Sequence, residues 1–120
     1  GLAMLIACYG LQAHVQCLGR APRTVVTFCD GEGRDSLLVK SLFQQEALKR
    51  GILFNGLQLP STAHTAEDID LTLGAFQEVL AILQQAIRQG NAAERLEGLP
   101  IQPAIRPLVA PAPGRAKVAA

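Results

Sequence analysis

Few side chains in this sequence can carry chemistry. There are two histidines (His14 and His64), three cysteines (Cys8, Cys17 and Cys29) and three lysines (Lys40, Lys49 and Lys117). An odd number of widely spaced cysteines makes a poor disulfide framework. There is no CxxC pair, and neither histidine stands at a zinc-finger distance from a cysteine, so no metal site is expected. The cysteines read as free thiols of a reducing, cytoplasmic compartment. Gly31-Glu32-Gly33 lacks the lysine and hydroxyl residue of a phosphate loop. No lysine has the apolar sequence surroundings that favour Schiff-base chemistry. His64 is the best placed of these groups. It precedes a helix start and stands beside the hydroxyls of Ser61 and Thr62, which would suit contacts to a ligand. The competing reading is a hydrogen-bonded histidine at a loop–helix junction with solvated neighbours. Glu67, Asp68 and Asp70 resemble a metal cluster, but a place in the first turn of a helix explains them, because the positive end of the helix dipole attracts carboxylates. No residue is assigned a catalytic role.

The elements that hold these groups follow from periodicity. Residues 2–11 read as a helix closed near Gly10. Residues 14–18 and 24–28 alternate or are β-branched, and so read as two strands of a hairpin. Asp35 or Ser36 can cap a helix over 36–50, with Leu38, Val39, Leu42, Phe43 and Ala47 on its apolar face and Lys40, Gln44 and Gln45 on the other. Gly51 ends it. Residues 52–54 read as a short strand, turned at Asn55-Gly56 into a return strand that Pro60 confines to an edge. Thr65 and Asp68 form a capping box for the last helix. Its stripe of Ile69, Leu73, Phe76, Leu80, Leu83 and Ile87 repeats at helical period, so it should face the core.

The 120 residues suit one domain, and 49% hydrophobic content with 18% charged is enough to build a core. A net charge of +1 argues against gripping nucleic acid by bulk charge, and no apolar run is long enough for a membrane span. The opening apolar residues lack the basic start of a signal peptide. A glycine start running straight into helix-like sequence suggests a piece of something longer. Five of the seven prolines fall in 98–120, with no acidic residue after Glu97, so this stretch should be extended and, beyond about residue 108, disordered.

Two segments are distinctive: SLFQQEALKRGILF over 41–54 and STAHTAEDIDLTL over 61–73. In this order they resemble the C-terminal region of class III pyridoxal-phosphate-dependent aminotransferases, most nearly those similar to glutamate-1-semialdehyde 2,1-aminomutase. In that family a helix ending in lysine-arginine-glycine (here Lys49-Arg50-Gly51) feeds a short strand. A histidine-led segment like His64–Ile69 then opens the last long helix. The tail LEGLPIQP over 96–103 looks like an extension carried by a subgroup, and the likeness spans roughly 10–107. It implies an α+β fold, a two-layer small domain with a short, mostly antiparallel sheet packed by helices. Residues 1–12 would be the end of a preceding helix, 13–97 the domain, and 98–120 a tail. It implies that the cofactor lysine, the aromatic on the pyridine ring and the aspartate at its nitrogen all lie in a large domain upstream. This chain would then bind no pyridoxal phosphate by itself and would form a wall of the active site. Its partners would be that large domain and, in the whole enzyme, a second subunit, with neither nucleic acid nor membrane. The segment from Gly51 to His64 is shorter than in the aminomutases proper, so an aminotransferase acting on another amino compound fits as well. Within this likeness Asn55, Ser61 and His64 are the residues expected to face a substrate. The alternative from another class is a stand-alone, non-catalytic α+β binding module.

Overall fold

In the computed structural model, residues 1–103 are described. The chain forms helix α1 (Leu2–Cys8), strands β1 (Val15–Arg20) and β2 (Arg23–Phe28), helix α2 (Leu37–Lys49), strand β3 (Leu57–Gln58) and helix α3 (Ala66–Gln89). The strands make one antiparallel sheet in the order β1-β2-β3. β1 pairs with β2 from Val15 opposite Phe28 to Arg20 opposite Arg23. β2 then pairs with β3 through Thr24–Gln58 and Val25–Leu57. The expected α+β class is present, with three helices and a three-stranded antiparallel sheet.

Each helix closes by one device. A glycine at positive φ (Gly10, Gly51 and Gly90) follows the last turn. The amide after it donates to the carbonyl five residues back: Leu11 to Ile6, Ile52 to Ala47, Asn91 to Ala86. Only a residue without a Cβ takes this conformation at no cost, so the glycines set the helix ends. The starts of α2 and α3 are as specific. Val39 N–H donates to Ser36 Oγ, which decides between the two candidate caps. Thr65 and Asp68 exchange side-chain–backbone hydrogen bonds in a complete capping box.

All four phenylalanines of the chain meet in one cluster. Phe43 of α2 lies 5.2–5.3 Å, centroid to centroid, from Phe28 of β2, Phe54 of the following loop and Phe76 of α3. Tilted rings at this separation place ring edges against ring faces, a favourable geometry for aromatic quadrupoles. Around them Val15, Val26, Leu42, Val79, Leu80 and Leu83 are buried. Leu2 and Ile6 seat α1, and Gln84 Nε2 donates to the Tyr9 carbonyl at 2.6 Å. α1 and α2 lie against the sheet. α3 packs on α1 and α2 and has no backbone contact with the sheet.

Two expectations need correction, the strand at 52–54 and the burial of the whole α3 stripe. Residues 52–54 form no strand, and the Asn55-Gly56 hairpin is absent. Phe54 is drawn into the aromatic cluster, and the Gly56 carbonyl accepts from Val26 N–H at 2.7 Å, so the returning segment pairs with β2 instead. The polar side of α2 is not a solvated face. The segment after α3 crosses it: Gln45 donates to the Arg95 carbonyl and accepts from Glu97 N–H, and Ile101 N–H donates to Ser41 Oγ. The α3 stripe is fully buried only at Phe76, Leu80 and Leu83: Leu73 and Ile87 are half-buried, and Ile69 remains 46% exposed. The expected disorder beyond about residue 108 lies outside the described residues.

Candidate functional site

A concavity of about 480 Å³ opens between the loop that follows α2 and the first turns of α3. Leu53, Leu57, Leu59, Ile69, Leu73 and Phe76 supply its apolar wall, and Gln58, His64, Asp68 and Thr72 its polar groups. Asp68 and Thr72 share a wall because residues four apart on a helix point the same way.

Ser61 and His64 come together at the rim. Ser61 N–H donates to His64 Nδ1 at 3.0 Å, and the Ser61 hydroxyl lies 3.3 Å from the same nitrogen. A backbone amide can only donate, so Nδ1 must accept. The neutral ring therefore carries its proton on Nε2, the edge turned away from Ser61. The loop chemistry behind this is local: Ala63 N–H donates to Ser61 Oγ, and His64 N–H to the Ser61 carbonyl. The groove thus meets a histidine in a fixed orientation, with an N–H donor at its free end. One turn further on, Asp68 is held ionised. The Thr65 amide and hydroxyl lower its carboxyl below the usual carboxylate value and outweigh the opposing effect of desolvation.

Asn55 does not join them. Its Oδ1 accepts from Leu57 N–H at 3.0 Å, closing a turn on its own backbone. That turn delivers Gly56, at φ 105°, into a buried position where an added Cβ would press on the Val26 carbonyl at 3.4 Å. Asn55 itself is not among the residues that line the groove. His14, the other histidine, stands just before β1 and pairs through Nδ1 with the Cys29 carbonyl at 3.1 Å, a structural tie across the sheet.

Gln58 and Thr72 were not singled out from sequence. For Gln58 the signal lay in the register: it shares a face with Thr24, whose hydroxyl donates to Gln58 Oε1 at 2.9 Å. For Thr72 the signal was the i+4 step from Asp68.

Set against protein-family models, curated proteins and solved structures, the chain matches none of them.

The chemistry of the groove is that of a binding wall. No described lysine or arginine lines it. Lys49 is spent on Glu46 and Glu97, and Lys40 packs near Gly56. This donor set does not fit the phosphate and aldehyde of pyridoxal phosphate. What it offers is apolar contact, the fixed N–H donor of His64, the Asp68 carboxylate, and the Gln58 amide and Thr72 hydroxyl. Among the described residues no cluster of side chains is arranged to hold a metal ion, and no helix is long and apolar enough to cross a membrane.

Proposed function

We propose that this chain is the C-terminal small domain of an enzyme of the class III pyridoxal-phosphate-dependent aminotransferase type, similar to glutamate-1-semialdehyde 2,1-aminomutase. Its role is to wall and close an active site whose catalytic lysine and cofactor are held by a large domain of the same enzyme, itself a dimer. One observation carries this reading: the groove's lip is bare. Leu53 is 91% exposed, Leu59 57% and Ile69 46%, all beside the oriented His64. Exposed apolar side chains ringing a concavity mark a surface built to be covered. The antiparallel sheet with helices on one side supports the same reading, as do the two motifs, which lie on α2 and at the start of α3. Three free cysteines support a reducing, cytoplasmic setting. In this role His64 and Asp68 meet a substrate or the facing domain, and the apolar wall excludes water.

The test is the coding DNA upstream of the Gly1 codon. The expected result is a continuous frame encoding a lysine-bearing domain, whose purified product shows the absorbance of bound pyridoxal phosphate and transfers amino groups. A stop codon and ribosome-binding site directly before Gly1 overturns the reading. A stand-alone α+β binding module is then left, and one observation favours it: α1 is seated in the core by Leu2 and Ile6, and among the described residues no buried side-chain polar atom lacks a partner.

A further inference from the structure

The layered packing leaves two outer faces, and each has exposed charges without partners. The first is the face of the sheet turned away from the helices. Side chains alternate along a strand, so Leu18 and Arg20 of β1 share that face with Val25 and Arg23 of β2. Leu18 is opposite Val25, and Arg20 is opposite Arg23. Leu18 is 51% exposed and Val25 38%, and both arginines are exposed. Two guanidinium groups directly across a ladder repel each other. Neither has a carboxylate partner among the described residues.

The second face is the outer side of α3. On α3, Glu67, Asp70, Leu71 and Gly74 follow the i, i+3, i+4, i+7 rule and share one side, opposite the buried Phe76 and Leu80. Leu71 is 65% exposed, and Gly74 has open space where a side chain would stand. Neither Glu67 nor Asp70 forms an ion pair among the described residues. An unpaired cationic pair beside two bare apolar residues is thus matched by an unpaired anionic pair beside a bare leucine.

We infer that the occupant of the sheet face is a second copy of this chain, which docks the outer side of α3 through Glu67, Asp70 and Leu71 onto Arg20, Arg23, Leu18 and Val25. The two faces are different surfaces of the chain, carried by elements that make no backbone contact with each other. The contact is therefore heterologous and runs head to tail. It does not close as a two-fold dimer does, and the assembly lengthens with concentration. Its charge pairs are exposed, so salt weakens it. This inference is independent of the reading of the groove, which is lined by other residues.

The experiment is sedimentation velocity on the full chain over a concentration series at low and at high salt. The expected result is a weight-average mass that rises with concentration at low salt and falls to the monomer at high salt. R20E/R23E and E67K/D70K each run as monomers, because each presents two faces of the same sign. Mixed in equal amounts, the two variants regain association, since every face again meets its opposite. E67Q/D70N, which adds no cation to the start of α3, also runs as a monomer, and circular dichroism confirms that each variant is folded. A wild-type chain that stays monomeric at low salt overturns the inference. So do single variants that associate as the wild type does, and so does a mixture that fails to recover.

Discussion

His64 acts here through what holds it. Its Nδ1 is occupied by the Ser61 amide, so its orientation is set by backbone and does not depend on a ligand. The residue was visible in the sequence as a histidine before a helix cap, and Ser61 as a neighbouring hydroxyl. Their hydrogen bond was not visible, because it depends on how the chain turns over 61–64. Asn55 was expected to face a substrate; its Oδ1 is engaged by the Leu57 amide of its own turn, a contact that the sequence alone does not show. The Thr65–Asp68 box was fully legible, since both partners sit at fixed positions on one helix. T65A should lower thermal stability by about 1 kcal/mol, the usual worth of an N-cap side chain. Asp68 adds a pH dependence of known sign. Its carboxyl is lowered in the folded state, so its contribution is present above the ordinary carboxylate pKa and is lost as pH falls through the lowered value. D68N should remove that acid-side loss, which thermal melts across the acid range would show as a flatter profile.

Among the elements, α2 is the hub. It faces the sheet on one side, α3 on another, and the segment after α3 on a third, through Ser41 and Gln45. Glu46 joins these contacts. It is buried, and burial would raise its carboxyl, yet hydrogen bonds from Gln45, Arg50 and Lys49 prevail and hold it below the ordinary value. Arg50 continues to Glu78 on α3 at 2.7 Å, and Lys49 to Glu97 at 2.6 Å. E46A should cost roughly 1.5–3 kcal/mol in urea unfolding, the range for charged hydrogen bonds. The wild-type contribution should fade only as pH drops below the ordinary carboxylate range, because the folded value is lowered. The helix ends were legible because a glycine at the right offset has one physical use. The strand at 52–54 was misread because Ile-Leu-Phe looks alike whether it joins a sheet or drops one ring into a core. In β1, Gly19 sits at φ 103°, and a Cβ there would come within 2.7 Å of the Arg23 carbonyl. G19A should therefore destabilise the hairpin by about 1–3 kcal/mol, measurable by the same unfolding curves.

Across the whole molecule, one aromatic cluster binds four elements that are distant in sequence. Phe43 touches the other three rings and is fully buried, so F43A should cost about 3–5 kcal/mol, the usual penalty for an emptied phenylalanine site, in denaturant unfolding. The helical pattern placed Phe43 and Phe76 on apolar faces, yet the convergence of all four rings at one point is a property of the topology, which periodicity does not encode. The same topology leaves Ile69 at the lip of the groove while Leu80, on the same stripe, is sealed.

The hydrogen bond from Gln84 to the Tyr9 carbonyl has a practical side. The chain has no tryptophan and a single tyrosine, so its ultraviolet emission comes almost wholly from one ring. That ring is half-buried where the first helix hands over to the rest of the chain, at its contact with α3. The protein therefore carries a built-in optical reporter of whether its opening helix is seated. Tyrosine emission would follow that one docking event, while the phenylalanine absorption fine structure would follow the core, and the two signals need no label to be told apart.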